Sequence, residues 1–275
     1  MRTSLIACLP VLLSAGSLFA QVDDFIFDPA DPLSIETADD SRTPGRHEWK
    51  AIYSARQIEI RALLFVPQNV SPTSPIVVLY HGMSQAENAY REAAEFFVAR
   101  AEERGFVLLS VQNYWPIGQT RHQWTTAELL YHSSRAGAVM VQEIRRLQIS
   151  QGPAYTFGHS AGGFAAICAA LLFPDIYSGF GANKANYYQD EVDLTLRAFV
   201  ERSFRENLQR APHDLVGTTV LGGPQDAARV RHQMPQARIF LKENLDIPLE
   251  NGDFPDEPHN ISDADFEFFW SMVSR

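Results

Sequence analysis

Cysteine is nearly absent from this chain: two occur in 275 residues, Cys8 and Cys168. Cys8 falls in an N-terminal segment expected to be removed, which leaves Cys168 alone and excludes an intramolecular disulfide. Cys168 sits in an apolar helix-like run and reads as a small buried hydrophobe. Positive charge is scarce too, with 23 Lys and Arg against 33 Asp and Glu for a net charge of −10. Such a balance repels phosphate backbones and anionic lipid, so no nucleic-acid or membrane partner is expected for the mature form. No apolar run reaches the roughly 20 residues of a membrane span. No internal repeat is visible. Without cross-links the fold must rest on its core, which a chain 45% hydrophobic can build.

The chain opens MRTSLIACLPVLLSAGSLFAQ. Arg2, an apolar run from Leu5 to Leu13 and small residues leading to Ala20 have the layout of a secretory signal peptide. The expected organisation is a signal peptide at 1–20, an extended arm at 21–46 and one domain at 47–275. Secretion or periplasmic export follows from that reading. The arm is rich in Asp, Pro, Ser and Thr. Its Asp23, Asp24, Asp28 and Asp31 match no calcium-loop spacing, so no metal is expected there.

HEWKAIYS (47–54) and QIEIRALLFVP (57–67) alternate partly, as antiparallel strands with one exposed face do. IVVLY (76–80), FVLLSVQ (106–112), AYTFG (154–158), YSGFGAN (177–183), TTVLGG (218–223) and ARIFLK (237–242) are the further strands expected. Helices are expected at 86–105, 125–148, 160–174 and 262–275, the last with Ser262 as its N-cap. Strands alternating with helices predict an α/β fold. It is a mainly parallel sheet with helices on both faces, antiparallel N-terminal strands and a short helical insertion near 184–217.

Chemistry on such sheets gathers beyond the carboxyl ends of the strands. Ser160 sits there, in YTFGHSAGGFAA (155–166), where G-x-S-x-G separates a strand from a helix. A turn this sharp exposes the hydroxyl, aims a helix N-terminus at it and needs small neighbours. A serine hydroxyl needs a base oriented by an acid. His259, in a loop after the last strand, is the candidate base. Asp226, after the glycine-rich exit of TTVLGG, is the candidate acid, with Asp253 and Asp256 as alternatives. The order Ser160, Asp226, His259 is the chain order of a triad in this architecture. Ala161 and Met83 are the expected backbone donors to a developing oxyanion, with Ser84 the alternative to Met83. His81 is expected to hold that loop by hydrogen bonds.

These residues together resemble the α/β-hydrolase fold family over roughly residues 47–275. LYHGMSQAENAYREAAEFF, ERGFVLLSVQ and PDIYSGFGA are similar to secreted esterases of the polyhydroxybutyrate depolymerase and feruloyl esterase type. The resemblance implies a Ser-His-Asp esterase acting on a small-molecule or polymer ester, with no metal or organic cofactor. A serine peptidase, an acyltransferase or a non-catalytic binding protein on the same scaffold are the alternatives. The loop NYWPIGQTRHQW (113–124) follows a sheet strand and is expected to line the pocket. Trp115 and Trp124 are candidates for an apolar acyl group, Arg121 for a carboxylate, and Tyr187 for a substrate contact from the insertion. Ordinary packing or surface exposure is the alternative for each. The sequon at Asn260 adjoins His259, and a glycan there would obstruct the site, so it is expected to be unused.

Overall fold

A computed structural model describes residues 32–275 apart from 39, 55–57, 85, 114–125, 188–195, 198–199 and 201–213. Among the described residues, nine strands make one sheet. They are β1 (Leu33–Glu36), β2 (Gly45–Tyr53), β3 (Ile58–Val66), β4 (Ile76–Tyr80), β5 (Val107–Val111), β6 (Ala154–His159), β7 (Gly179–Asn183), β8 (Val216–Gly222) and β9 (Leu249–Phe254). Their spatial order is β1-β2-β3-β5-β4-β6-β7-β8-β9. β1, β2, β3 and β5 pair antiparallel, and every pair from β5 through β4 to β9 is parallel.

Five helices cover the sheet among the described residues: α1 (Ala89–Arg104), α2 (Thr126–Arg146), α3 (Ala161–Leu172), α4 (Ala228–Ile239) and α5 (Asp263–Val273). Strand alternation divides the core into two layers. On β4, Ile76, Val78 and Tyr80 face one layer, with residues of α2, α3 and α4. Val77 and Leu79 face the other, with residues of α1 and α5. Phe157 illustrates the second layer, its ring centre 5.2 Å from Phe97 and 4.7 Å from Phe269. Full burial of such a side chain stabilises by about 1.5–3 kcal/mol.

Two expected elements change. Residues 237–242 are not a strand: α4 runs to Ile239 and a π-helical turn, Phe240–Asn244, follows. The buried positions Val230, Met234, Ala237 and Leu241 recur at three- and four-residue spacing, which is helical. The edge strand is instead β9, of sequence LENGDF. The arm also contributes structure, since β1 pairs with β2 from Leu33↔Tyr53 to Glu36↔Lys50. As expected, Ser262 is the N-cap of α5, and its hydroxyl accepts from the Asp265 N–H in a reciprocal capping box.

Candidate active site

The parallel strands end on one edge of the sheet. From that edge come the 81–84 loop after β4, Ser160 after β6, Lys184 after β7, Asp226 after β8 and His259 after β9. Ser160 has φ 57° and ψ −124°, a conformation that costs about 1–3 kcal/mol and persists only where the surroundings enforce it. Close approach around it is what requires the glycines. A Cβ on Gly158 would lie 2.0 Å from the Gly162 carbonyl oxygen, and one on Gly162 would lie 2.0 Å from the Tyr80 carbonyl oxygen. The elbow is tied to β7, because the Ser160 N–H donates to the Asn183 carbonyl (3.0 Å) and the Asn186 N–H to the Ser160 carbonyl (3.2 Å).

Ser160 Oγ lies 3.0 Å from His259 Nε2, and His259 Nδ1 lies 2.6 Å from Asp226 Oδ1. Asp226 is 4% exposed. Its Oδ2 accepts from the Gly222 N–H (3.1 Å) and its Oδ1 from the Ala227 N–H (2.7 Å). A carboxylate held by backbone donors is oriented before any substrate arrives. With Asp226 accepting, the network assigns the histidine proton to Nδ1, which leaves the Nε2 lone pair toward the serine hydroxyl. Of the alternative acids, Asp253 pairs with Arg238 (2.8 Å) and Asp256 is exposed.

His81 is buried and spans the neighbouring loop. Its Nδ1–H donates to the Gly82 carbonyl (2.7 Å), and its Nε2 accepts from the Asn113 N–H (2.9 Å). Burial holds its pKa below the ordinary value, so the neutral ring can serve both bonds. A Cβ on Gly82 would lie 3.6 Å from Ser160 Cβ, which places this loop directly against Ser160. Met83 follows, 41% exposed, and Ala161 is buried at the start of α3.

His159 has a place that its neighbour position in the sequence does not suggest. Its ring centre is 4.7 Å from that of His259, so it packs beside the candidate base. Burial first, then the charges of His259 and Lys184, push its pKa down to about 3. A neutral imidazole therefore sits against His259. Tyr187 does not face a pocket. It is fully buried, its ring 5.2 Å from Phe164 and its hydroxyl 3.6 Å from Met234 Sδ, so it is a core residue. Trp115, Arg121 and Trp124 lie outside the described residues.

Lys184 is a residue that sequence reasoning passes over. It is fully buried, and its ammonium makes three 2.8 Å bonds, to Glu257, Asn260 and Asp265. No local pattern announces it, since its partners are 73, 76 and 81 residues away. Among the described residues, no group of three or more His, Cys, Asp or Glu is arranged to hold a metal ion. No helix among them is long and apolar enough to cross a membrane.

No protein-family model matches the sequence, and no curated protein matches it either. Solved structures do match. A bacterial heroin esterase superposes with a TM-score of 0.57 at 16% identity, over 94% of this chain and 87% of that one. An acetyl xylan esterase from Paenibacillus sp. R4 gives 0.55 at 13% identity, over 94% and 92%. The poly(aspartic acid) hydrolase-1 of Sphingomonas sp. KT-1 gives 0.55 at 18% identity, over 84% and 98%. The chain has the α/β-hydrolase fold. Ser160 sits on the sharp turn between β6 and α3 of that fold.

Proposed function

We propose that this protein is a serine hydrolase that cleaves carboxylic esters through an acyl-enzyme. One observation carries the reading: Ser160, His259 and Asp226 form a continuous hydrogen-bonded relay, 3.0 and 2.6 Å, on a strained elbow. Two of the neighbours in fold are named as esterases.

In this mechanism Ser160 Oγ attacks the ester carbonyl carbon, and its proton passes to His259 Nε2. Asp226 holds the ring and stabilises the imidazolium. The negative oxygen that develops is met by the N–H groups of Ala161 and Met83, each worth about 2.7–4 kcal/mol in such a role. Collapse breaks the bond from carbon to the alcohol oxygen, which takes the proton from His259. Water then repeats the sequence on the acyl-enzyme, and the acid leaves. His81 sets the loop that carries Met83. The protein acts after export, with residues 1–20 removed, on a small or polymeric ester.

Labelling by a fluorophosphonate tests the nucleophile. Wild type should label and hydrolyse short p-nitrophenyl esters. Ser160→Ala should not label and should lose on the order of 10⁶-fold in kcat. Equal labelling of the two proteins would overturn the assignment. The intact mass of protein recovered from the natural host tests removal of the leader.

A further inference from the structure

Lysine is seldom fully buried, and a buried ammonium is tolerated only when its charge and its donors are met. Lys184 meets both conditions. It follows β7 directly and has φ 44°, in the left-handed region, which breaks the strand's alternation. Its Nζ donates to Glu257 Oε2, the Asn260 carbonyl and Asp265 Oδ2, each at 2.8 Å, so all three ammonium hydrogens are used.

The positions of those acceptors carry the inference. Glu257 is two residues before His259 and Asn260 is one after it. Asp265 belongs to the capping box that starts α5. Glu257 is held from its other oxygen as well, which accepts from the Ser262 hydroxyl (2.7 Å). On the opposite side, the Asn183 carbonyl accepts the Ser160 N–H (3.0 Å), and the Lys184 N–H donates to the Val220 carbonyl (2.9 Å). Two consecutive residues thus grip the serine turn and the histidine loop together.

We propose that Lys184 is a positioning residue for His259, holding the 257–260 loop at the distance that lets the imidazole reach Ser160. This rests on the Ser160–His259–Asp226 reading given above. A purely structural lysine would serve only to neutralise Asp265 and Glu257. A positioning lysine must also hold the Asn260 carbonyl, which no charge balance requires.

Two variants separate these roles. Lys184→Met removes the tether and strands the carboxylates. Lys184→Met/Asp265→Asn removes the tether together with the fully buried carboxylate, while the amide oxygen that replaces it can still accept from the Ser262 N–H. Activity on p-nitrophenyl acetate is measured per mole of folded protein, with concentration taken from absorbance, beside wild type, Ser160→Ala and thermal melts. Lys184→Met should lower kcat about 100-fold, the loss that a misplacement of roughly 1 Å produces. KM should stay within about twofold of wild type. The double variant should regain Tm but not kcat. Wild-type kcat in the double variant would overturn the proposal even if the single variant failed to fold. Should Ser160→Ala keep the wild-type rate, the triad reading itself falls. If Ser160→Ala is inert and the double variant turns over normally, only the role of Lys184 falls.

Discussion

Lowering the pH from 7 to 5 should destabilise the folded protein through His159, and replacing that histidine should remove this share of the loss. The unfolded chain takes up a proton near the ordinary histidine value of 6.5, whereas the folded protein resists it until about 3. Above 6.5 neither state is charged, and the group contributes nothing to the balance. Below 6.5 the unfolded state binds the extra proton, so stability falls as pH falls, by about 1.4 kcal/mol per pH unit. The loss accumulates until the folded pKa near 3 is reached. Between pH 7 and pH 5 it amounts to about 2 kcal/mol. His81 is held low by burial and acts in the same direction, so wild type alone cannot isolate His159. The assay is urea unfolding at both pH values, for wild type and His159→Gln, with the difference between pH values compared. Any pH-independent cost of the substitution cancels in that comparison. Wild type should lose about 2 kcal/mol more than the variant. Equal losses would show that His159 accepts a proton in the folded state, and would refute its place as a neutral ring against His259.

Asp226→Asn should lower kcat on the order of 10⁴-fold, because the amide favours the wrong histidine tautomer; steady-state kinetics on short esters checks it, and a wild-type rate would return Asp226 to a loop role. Gly162→Ala should cost about 3 kcal/mol, the upper end for overpacking, since its Cβ would lie 2.0 Å from the Tyr80 carbonyl oxygen and backbone must move. Chemical denaturation measures that loss, and a change under about 0.5 kcal/mol, the ordinary surface level, would mean the elbow is looser than its geometry.

The candidate site is legible in the sequence where chemistry leaves a local trace. Gly158, Ser160 and Gly162 lie between an unbroken apolar run and a helix, so the turn can be read directly. Asp226 can be found because it follows an apolar strand, and His259 because it lies in the loop before the closing helix, although the strand it follows is β9 and not the one expected at 237–242. β9 escapes such a reading because an edge strand carries little apolar signal: within LENGDF only Gly252 is buried. The neighbouring ARIFLK looks strand-like because Pro235 separates it from the preceding helical run. The helix tolerates that proline and continues to Ile239. Tyr187 reads as a pocket residue because an aromatic in a polar insertion looks exposed, and only packing on Phe164 shows otherwise. Lys184 cannot be read at all, since a lysine's usual place is solvent and its three acceptors are remote in sequence.

The spread of the site along the chain also sets a schedule. Ser160 and His259 are 99 residues apart. A ribosome adding about 5–20 residues per second delivers the serine roughly 5–20 seconds before the histidine. Asp265, which anchors Lys184, comes later still. During that interval the Ser160 turn can already rest on the 80–82 and 183–186 segments, while its histidine partner has yet to be made. The hydrogen-bonded set of Ser160, His259 and Asp226 is therefore incomplete until almost the whole chain has been made, and Lys184 lacks its Asp265 partner until α5 follows.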